Sequence, residues 1–270
     1  MYLYPQKRQG SYVIPNSVTH IEKRAFSGCN GLTSVIIPNS VTEIGEGAFW
    51  GCTDLTSVII PNSVTEIGED AFFRCAGLTS VAVHPDNSTY ASEDGVLFNK
   101  DKTILLYYPK GRQGDYAVPA SVTKIVENAF LNCKGLTSVI IPNSVTEIGL
   151  GAFKDCSGLK SVVISESVTE IEITAFMHCS NLTSVVIPNS VTYIGAQAFR
   201  GCSRLASVTL SNSLKSIVDY AFLECALTEV FIPQSVRYVD WYAFEGKVFF
   251  TVHPDNPHYT SVNGGIHIKE

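Results

Sequence analysis

The feature that most constrains this chain is a period. The dipeptide Ala-Phe recurs at Ala25-Phe26, Ala48-Phe49, Ala71-Phe72, Ala129-Phe130, Ala152-Phe153, Ala175-Phe176, Ala198-Phe199, Ala221-Phe222 and Ala243-Phe244. Most steps are 23 residues and the last is 22; the step of 58 from Phe72 to Phe130 is one period plus an insert of 35. A fixed period of about 20–50 residues marks a stacked repeat. The second coil carries the apolar skeleton Ile37, Val41, Ile44, Ala48, Phe49, Cys52, Leu55 and Val58. A single coil cannot bury these side chains, whereas stacked coils can, each covering its neighbour. The period therefore predicts a mainly β solenoid of nine coils, with the phenylalanines stacked as an internal spine.

Within a coil, Leu55-Thr-Ser-Val-Ile-Ile60-Pro61 is rich in β-branched residues and stops at proline, which has no N–H to extend a ladder. It predicts a short strand that pairs in parallel with its counterparts, at about 4.8 Å per coil. Ser63-Val-Thr-Glu-Ile67 predicts a second short extended piece, and Glu69-Asp-Ala-Phe-Phe-Arg-Cys75 a short helical or 3₁₀ turn. In the insert, Gly95-Val-Leu-Phe98 and Ile104-Leu-Leu-Tyr-Tyr108 flank the polar Asn99-Lys-Asp-Lys-Thr103, which predicts a β-hairpin.

The two chain ends repeat halves of this insert. Tyr4-Pro-Gln-Lys-Arg-Gln-Gly-Ser-Tyr-Val-Ile-Pro15 matches Tyr108-Pro-Lys-Gly-Arg-Gln-Gly-Asp-Tyr-Ala-Val-Pro119 at an offset of 104. His253-Pro-Asp-Asn-Pro-His-Tyr-Thr-Ser-Val-Asn-Gly264 matches His84-Pro-Asp-Asn-Ser-Thr-Tyr-Ala-Ser-Glu-Asp-Gly95 at an offset of 169. The expected organisation is one solenoid over residues 1–270: a partial hairpin module (1–12), coils one to three (13–83), the hairpin insert (84–118), coils four to nine (119–252) and a second partial module (253–270). Solenoids usually close with polar caps. Half-modules at both ends suggest a segment of a longer array, the alternative being that they serve as caps themselves.

The pattern Leu-Thr-Ser-Val-Ile-Ile-Pro-Asn-Ser-Val-Thr-Glu-Ile-Gly-x-x-Ala-Phe-x-x-Cys resembles the BspA-type, or treponemal-type, leucine-rich repeats, and so does the hairpin motif Asp94-Gly-Val-Leu-Phe-Asn-Lys-Asp-Lys-Thr103. The resemblance spans nearly the whole chain. It implies a leucine-rich-repeat fold and an extracellular or cell-surface setting. It also implies, for some members, adhesion to host matrix proteins, cell-surface proteins or glycans. It brings no catalytic residues with it. The ninth coil departs from the pattern: it lacks the Cys and three residues of the loop around Phe244-Glu-Gly-Lys-Val-Phe-Phe250.

Composition narrows the function classes. With 45% hydrophobic and 16% charged residues the chain is not of disordered composition. The net charge of −6 and the lack of a Lys/Arg run argue against nucleic acid. No apolar stretch reaches the roughly 18 residues of a membrane helix, so no membrane insertion of this segment is expected. The first residues show no charged region leading into an apolar run, so no signal peptide is visible in this segment.

Eight cysteines, at 29, 52, 75, 133, 156, 179, 202 and 225, recur one per coil. The periodicity points to a ladder of buried reduced thiols rather than disulfides, although thiols in adjacent coils could come within bridging range. No Cys-x-x-Cys pair or metal-spaced His pair exists, so no metal or cofactor is expected. No Ser-His-Asp arrangement can be drawn from the repeated serines, and His-Pro-Asp-Asn (84–87 and 253–256) reads as a turn. Asn-x-Ser/Thr sequons fall at Asn87 and Asn181.

The more informative signal lies on the strands. If Leu, Val and the last Ile point inward, an outward column runs through Ile36, Ile59, Ala82, Ile140, Val163, Val186, Thr209 and Phe231, beside serines such as Ser34 and Ser57. Such an apolar stripe is a candidate surface for a ligand or for self-association; the plainer reading is β-propensity on an exposed sheet. A second column runs through His20, Glu43, Glu66, Lys124, Glu147, Glu170, Tyr193, Ser216 and Tyr238. Tyr193 and Tyr238, near Trp241 and Tyr242, could form an aromatic contact site. The expected function is thus a non-catalytic extracellular recognition or adhesion module binding a protein or glycan through its sheet face. The alternative is a structural spacer, or an accessory region of a larger surface protein.

Overall fold

Alternation along each long strand sorts side chains to two faces, and in the second coil Leu55, Val58 and Ile60 go inward while Ile59 faces solvent. The eight skeleton positions of that coil are all buried. A computed structural model describes residues 9–269 and divides the chain into two compact units, Met1–Arg112 and Gln113–Glu270.

The first unit contains β1 (Gly10–Val13), β2 (His20–Ile21), β3 (Leu32–Ile36), β4 (Glu43–Ile44), β5 (Ser57–Ile60), β6 (Glu66–Ile67), β7 (Ser80–Val83), β8 (Tyr90–Glu93), β9 (Val96–Asn99) and β10 (Ile104–Tyr107). The long strands form a parallel sheet in the order β1-β3-β5-β7, and the short ones a second parallel sheet, β2-β4-β6. The second unit contains β11 (Gly114–Ala117), β12 (Lys124–Ile125), β13 (Leu136–Ile140), β14 (Glu147–Ile148), β15 (Ser161–Val163), β16 (Glu170–Ile171), β17 (Ser184–Val186), β18 (Tyr193–Ile194), β19 (Ser207–Thr209), β20 (Ser216–Ile217), β21 (Glu229–Ile232), β22 (Tyr238–Val239), β23 (Phe249–Val252), β24 (Tyr259–Val262) and β25 (Gly265–Ile268). Here β11-β13-β15, β17-β19 and β21-β23 pair in parallel along the long face, and β16-β18-β20-β22 along the short one.

The solenoid has about 11 turns rather than nine. Counting Ala-Phe pairs misses one long strand in each unit, because three pairs lie among the four strands β1, β3, β5 and β7, and six pairs among the seven strands β11, β13, β15, β17, β19, β21 and β23.

Of the expected helical or 3₁₀ turn, the Ala-Phe segment forms a chain of tight i→i−3 turns and no helix, and the hydrogen bonds give the reason. The N–H groups of Ala25, Ser27 and Cys29 close three-residue turns onto Glu22, Arg24 and Phe26, while those of Arg24, Phe26 and Gly28 donate to Glu46, Ala48 and Trp50 in the next coil. Every second donor is therefore taken by a neighbour, and no run of i→i−4 bonds can form. Two residues per turn also sit in the left-handed region, such as Arg24 (φ 57°) and Gly28 (φ 72°). The slot of Arg24 is filled by Gly47, Asp70, Asn128, Gly151, Thr174, Gln197 and Tyr220, of which only glycine adopts that conformation freely.

The spine forms as the period predicts. In the first unit Phe26, Phe49 and Phe72 stack with centroids 5.1 and 5.7 Å apart; Tyr12 covers one end at 5.8 Å and Tyr107 the other at 5.8 Å. In the second unit Phe130 through Phe244 stack at 4.5–5.3 Å, between Tyr116 and an edge-on Phe250. Offset parallel rings in this range add to burial. The shortened ninth coil keeps its place: Phe244 lies 5.3 Å from Phe222, and β21 and β23 pair in register over four residues.

The insert is a three-stranded antiparallel sheet, β8-β9-β10, rather than a two-stranded hairpin. The extra strand is joined by Asp94-Gly95, both with positive φ, a two-residue turn whose sequence is itself a hairpin signal. Asn263-Gly264 joins β24 to β25 in the same way.

Candidate functional site

The sheet face is where outward side chains line up. The register places Val13 beside Ile36 and Ile59 beside Ala82 in the first unit, and Ala117, Ile140 and Val163 side by side in the second. Val13, Ile36, Ile59, Ile140, Val163, Val186 and Phe231 are each 46–63% exposed, a large fraction for branched or aromatic residues. The stripe is therefore two exposed stretches, one in each unit. Val13 extends the expected column by one position, and its signal is the repeat of Ile36-Ile-Pro38 in Val13-Ile-Pro15. Beside the stripe, Ser11, Ser34, Ser57 and Ser80 form a hydroxyl column in the first unit. In the second, Asp115, Ser138 and Ser161 continue the pattern.

Thr209 interrupts the stripe of the second unit. Its short side chain sits beside Val186 in register. A hollow of about 270 Å³ opens there, lined by Val186, Pro188, Asn189, Thr209, Asn212 and Phe231. Its polar rim is held by the Asn212 N–H, which donates to Asn189 Oδ1 at 2.9 Å. From sequence Thr209 is only one more stripe position, because a hollow depends on the sizes of neighbours in other coils.

The second column also forms, through short parallel ladders. Within it His20 Nε2 lies 3.9 Å from Glu43 and Lys124 Nζ 2.7 Å from Glu147. Tyr193, Ser216 and Tyr238 are successive in register, so Ser216 separates the two tyrosines. Tyr193 is half-buried and Tyr238 exposed. The Tyr238 hydroxyl donates to Asp240 Oδ2 at 3.1 Å, and that bond, next to the Asp240 charge, pushes its phenol above the usual tyrosine range. Trp241 is 80% exposed, and Tyr242 stacks obliquely on Tyr220 at 5.8 Å.

All eight cysteines are free. Cys52, Cys75, Cys156, Cys179, Cys202 and Cys225 each donate an S–H to the carbonyl of the phenylalanine one coil back, at 3.0–3.2 Å. Burial pushes the Cys75 thiol up to about 12 and raises Cys52, Cys179 and Cys225 as well. Protonated thiols with a fixed acceptor are poor nucleophiles, so the ladder is packing. Asn87 is likewise structural: it is fully buried, so a glycan attached there does not fit the fold. Asn181 is half-buried and donates to Ser157 O at 2.7 Å. Among the described residues no three His, Cys, Asp or Glu side chains gather in a metal-binding group, and no helix is long and apolar enough to cross a membrane.

Stacked coils with inward Leu, Val, Ile and Phe, and a parallel sheet open to solvent, define a leucine-rich-repeat solenoid. The chain belongs to the BspA-type leucine-rich-repeat family: residues 2–101 and 117–250 match the BspA type Leucine rich repeat region in six copies. Solved structures agree. A leucine rich cell surface protein from Faecalibacterium prausnitzii is 33% identical, with TM-score 0.72 over 89% of this chain and 61% of its own. The pneumococcal vaccine antigen PcpA is 26% identical, with TM-score 0.80 over 92% of this chain and 63% of its own. A leucine-rich repeat protein from Eubacterium ventriosum is 26% identical, with TM-score 0.73 over 95% and 81%. The chain thus spans about three-fifths of the first two. No curated protein matches it.

Proposed function

We propose that this chain is a non-catalytic recognition module of a bacterial cell-surface protein, binding an extended protein segment or a glycan along its sheet face. The observation that carries this reading is the pair of rows of branched side chains, Ile36 and Ile59 in the first unit and Ile140, Val163 and Val186 in the second, each 53–63% exposed and flanked by hydroxyls. A contiguous exposed apolar row with a polar border is the usual mark of a contact surface. The hollow beside Thr209 offers a seat for one apolar or ring-shaped group of the partner. The surface location follows the Faecalibacterium relative, described as a cell surface protein. Near-identical coils suit a long or repetitive partner better than one small molecule.

The test is binding of the purified chain to immobilised host matrix proteins and glycans, with Ile59→Glu and Ile140→Glu measured separately. Loss of binding with an unchanged melting temperature in either variant supports the reading and assigns the face to one unit. A folded chain that binds nothing, or binds equally as both variants, overturns it in favour of a spacer.

A further inference from the structure

We propose that the turn of the ninth coil is a binding site separate from the sheet face, an aromatic ledge that takes a pyranose ring of a neutral glycan.

Each coil carries two residues immediately before its Ala-Phe pair, and in the ninth coil these are Trp241 and Tyr242. In other coils the first slot holds residues such as Glu46, Glu69 and Asp219, and the second Gly47, Asp70 and Asn128. Trp241 and Tyr242 are 80% and 66% exposed. That exposure belongs to the slots, whatever stacks on the coil. Glu69 and Asp70 are exposed as well, although Tyr107 of the insert covers Phe72 of the same coil. Bare indole and phenol rings leave a large apolar area in water, and Trp and Tyr are the side chains that most often anchor a contact.

The ledge is braced before any partner arrives. Asp240 Oδ1 accepts from the Tyr242 N–H at 2.8 Å, and its Oδ2 accepts from the Tyr238 hydroxyl at 3.1 Å. From behind, the hydroxyl of buried Tyr259 accepts from the Val239 N–H and donates to the Arg237 carbonyl. Tyr220 lies against Tyr242, with centroids 5.8 Å apart. It does so from a left-handed backbone (φ 59°) that bulky residues rarely adopt. Among the described residues no hydrogen bond or ring contact engages the Trp241 side chain, so its indole face and N–H are both open. A surface ordered in advance loses less entropy on binding.

The polar groups around the rings choose the partner. Asp219 occupies the slot of Trp241 one coil back and is exposed, and Asp240 is the chain neighbour of Trp241. Lys215 and Arg237 precede the ladder partners Ser216 and Tyr238, and both are exposed. Two carboxylates and two cations nearly cancel, so a strongly charged segment gains little Coulomb attraction here. A ligand with apolar faces, and with groups that both donate and accept, fits better. A pyranose is such a ligand. Its weakly positive C–H bonds lie on the negative face of an aromatic ring, and its hydroxyls accept from the indole N–H, Lys215 or Arg237 and donate to Asp219. The ledge lies on the turns and short strands and the apolar stripe on the long strands, so this site does not rest on the sheet-face reading.

The test is a fluorescence titration of the Trp50→Phe chain, in which Trp241 is the remaining tryptophan. The probes are neutral cello-, xylo-, manno- and chito-oligosaccharides, beside a polylysine and a polyglutamate peptide. At least one neutral oligosaccharide is expected to shift the Trp241 emission saturably. Calorimetry with that sugar on the otherwise unaltered chain should show affinity falling about tenfold or more in Trp241→Ala and in Tyr242→Ala, at unchanged melting temperature, and no change in Ile140→Glu. A chain that answers only to a charged peptide, or to no probe, overturns the proposal. So does sugar binding that survives Trp241→Ala, and its loss in Ile140→Glu would then move the glycan to the sheet face.

Discussion

The hairpin of residues 84–112 and the one of residues 253–269 share a sequence pattern, a buried asparagine and a set of hydrogen bonds, yet one is covered and the other open. Phe98 is buried in the first, while its counterpart His267 is exposed. The difference lies in the neighbour each hairpin has, since a side chain is buried by what packs against it. The spine shows the same effect: Phe153 has a ring on both sides, whereas Phe250 ends the row edge-on to Phe244.

The sharpest way to break this comparison is at the spine. Phe153→Ala should lower stability by about 3–5 kcal/mol, the cost of a large cavity in a packed interior. Phe250→Ala should cost only about 1–2 kcal/mol, since less area leaves water there. Equal losses in urea melts would show that the end of the stack is as tightly packed as its middle.

Next in size are the asparagines. Asn87→Ala strands the Pro61 and Val64 carbonyls and the Thr89 and Tyr90 N–H groups and should cost about 2–3 kcal/mol. Asn256→Ala removes the same bonds but should act locally, speeding amide exchange in β24 and β25 while the midpoint of global unfolding moves less. A matching global loss would mean that the terminal hairpin unfolds together with the coils.

The last effect, the smallest per step of the variable changed, comes from three thiols of the ladder, Cys52, Cys75 and Cys225. Burial keeps these thiols protonated in the folded chain, whereas unfolding frees them to ionise above about 9. Their contribution is intact below pH 9 and is lost as pH rises, through about 12 for Cys75. In that window each thiol should add about 1.4 kcal/mol of lost stability per pH unit. Cys75→Ala should flatten the slope between pH 9 and 11 measured by denaturant melts. An unchanged slope would show that Cys75 is not held neutral.

Much of this is legible in the sequence, because a stacked coil must repeat its inward residues at the same interval. Period and alternation alone place Phe49, Cys52, Leu55 and Val58 inside, and Ile36 and Ile59 outside. The strand β8 is signalled only by the Asp94-Gly95 turn, and the more apolar runs beside it outweigh that signal. The turns read as helical from sequence because Ala-Phe segments favour helix locally, while the partners of their N–H groups lie 22 residues away, as Arg24 to Glu46 shows.

The sequence by itself determined the period, the spine, the faces of the long strands and the family, since each follows from which residues recur and how often. Only the tertiary structure decided that Asn87 is buried, that the cysteines donate to phenylalanine carbonyls, that Thr209 opens a hollow, and that β25 is exposed where β9 is covered. Those properties belong to contacts between coils, and a contact depends on what the neighbouring coil presents at that height.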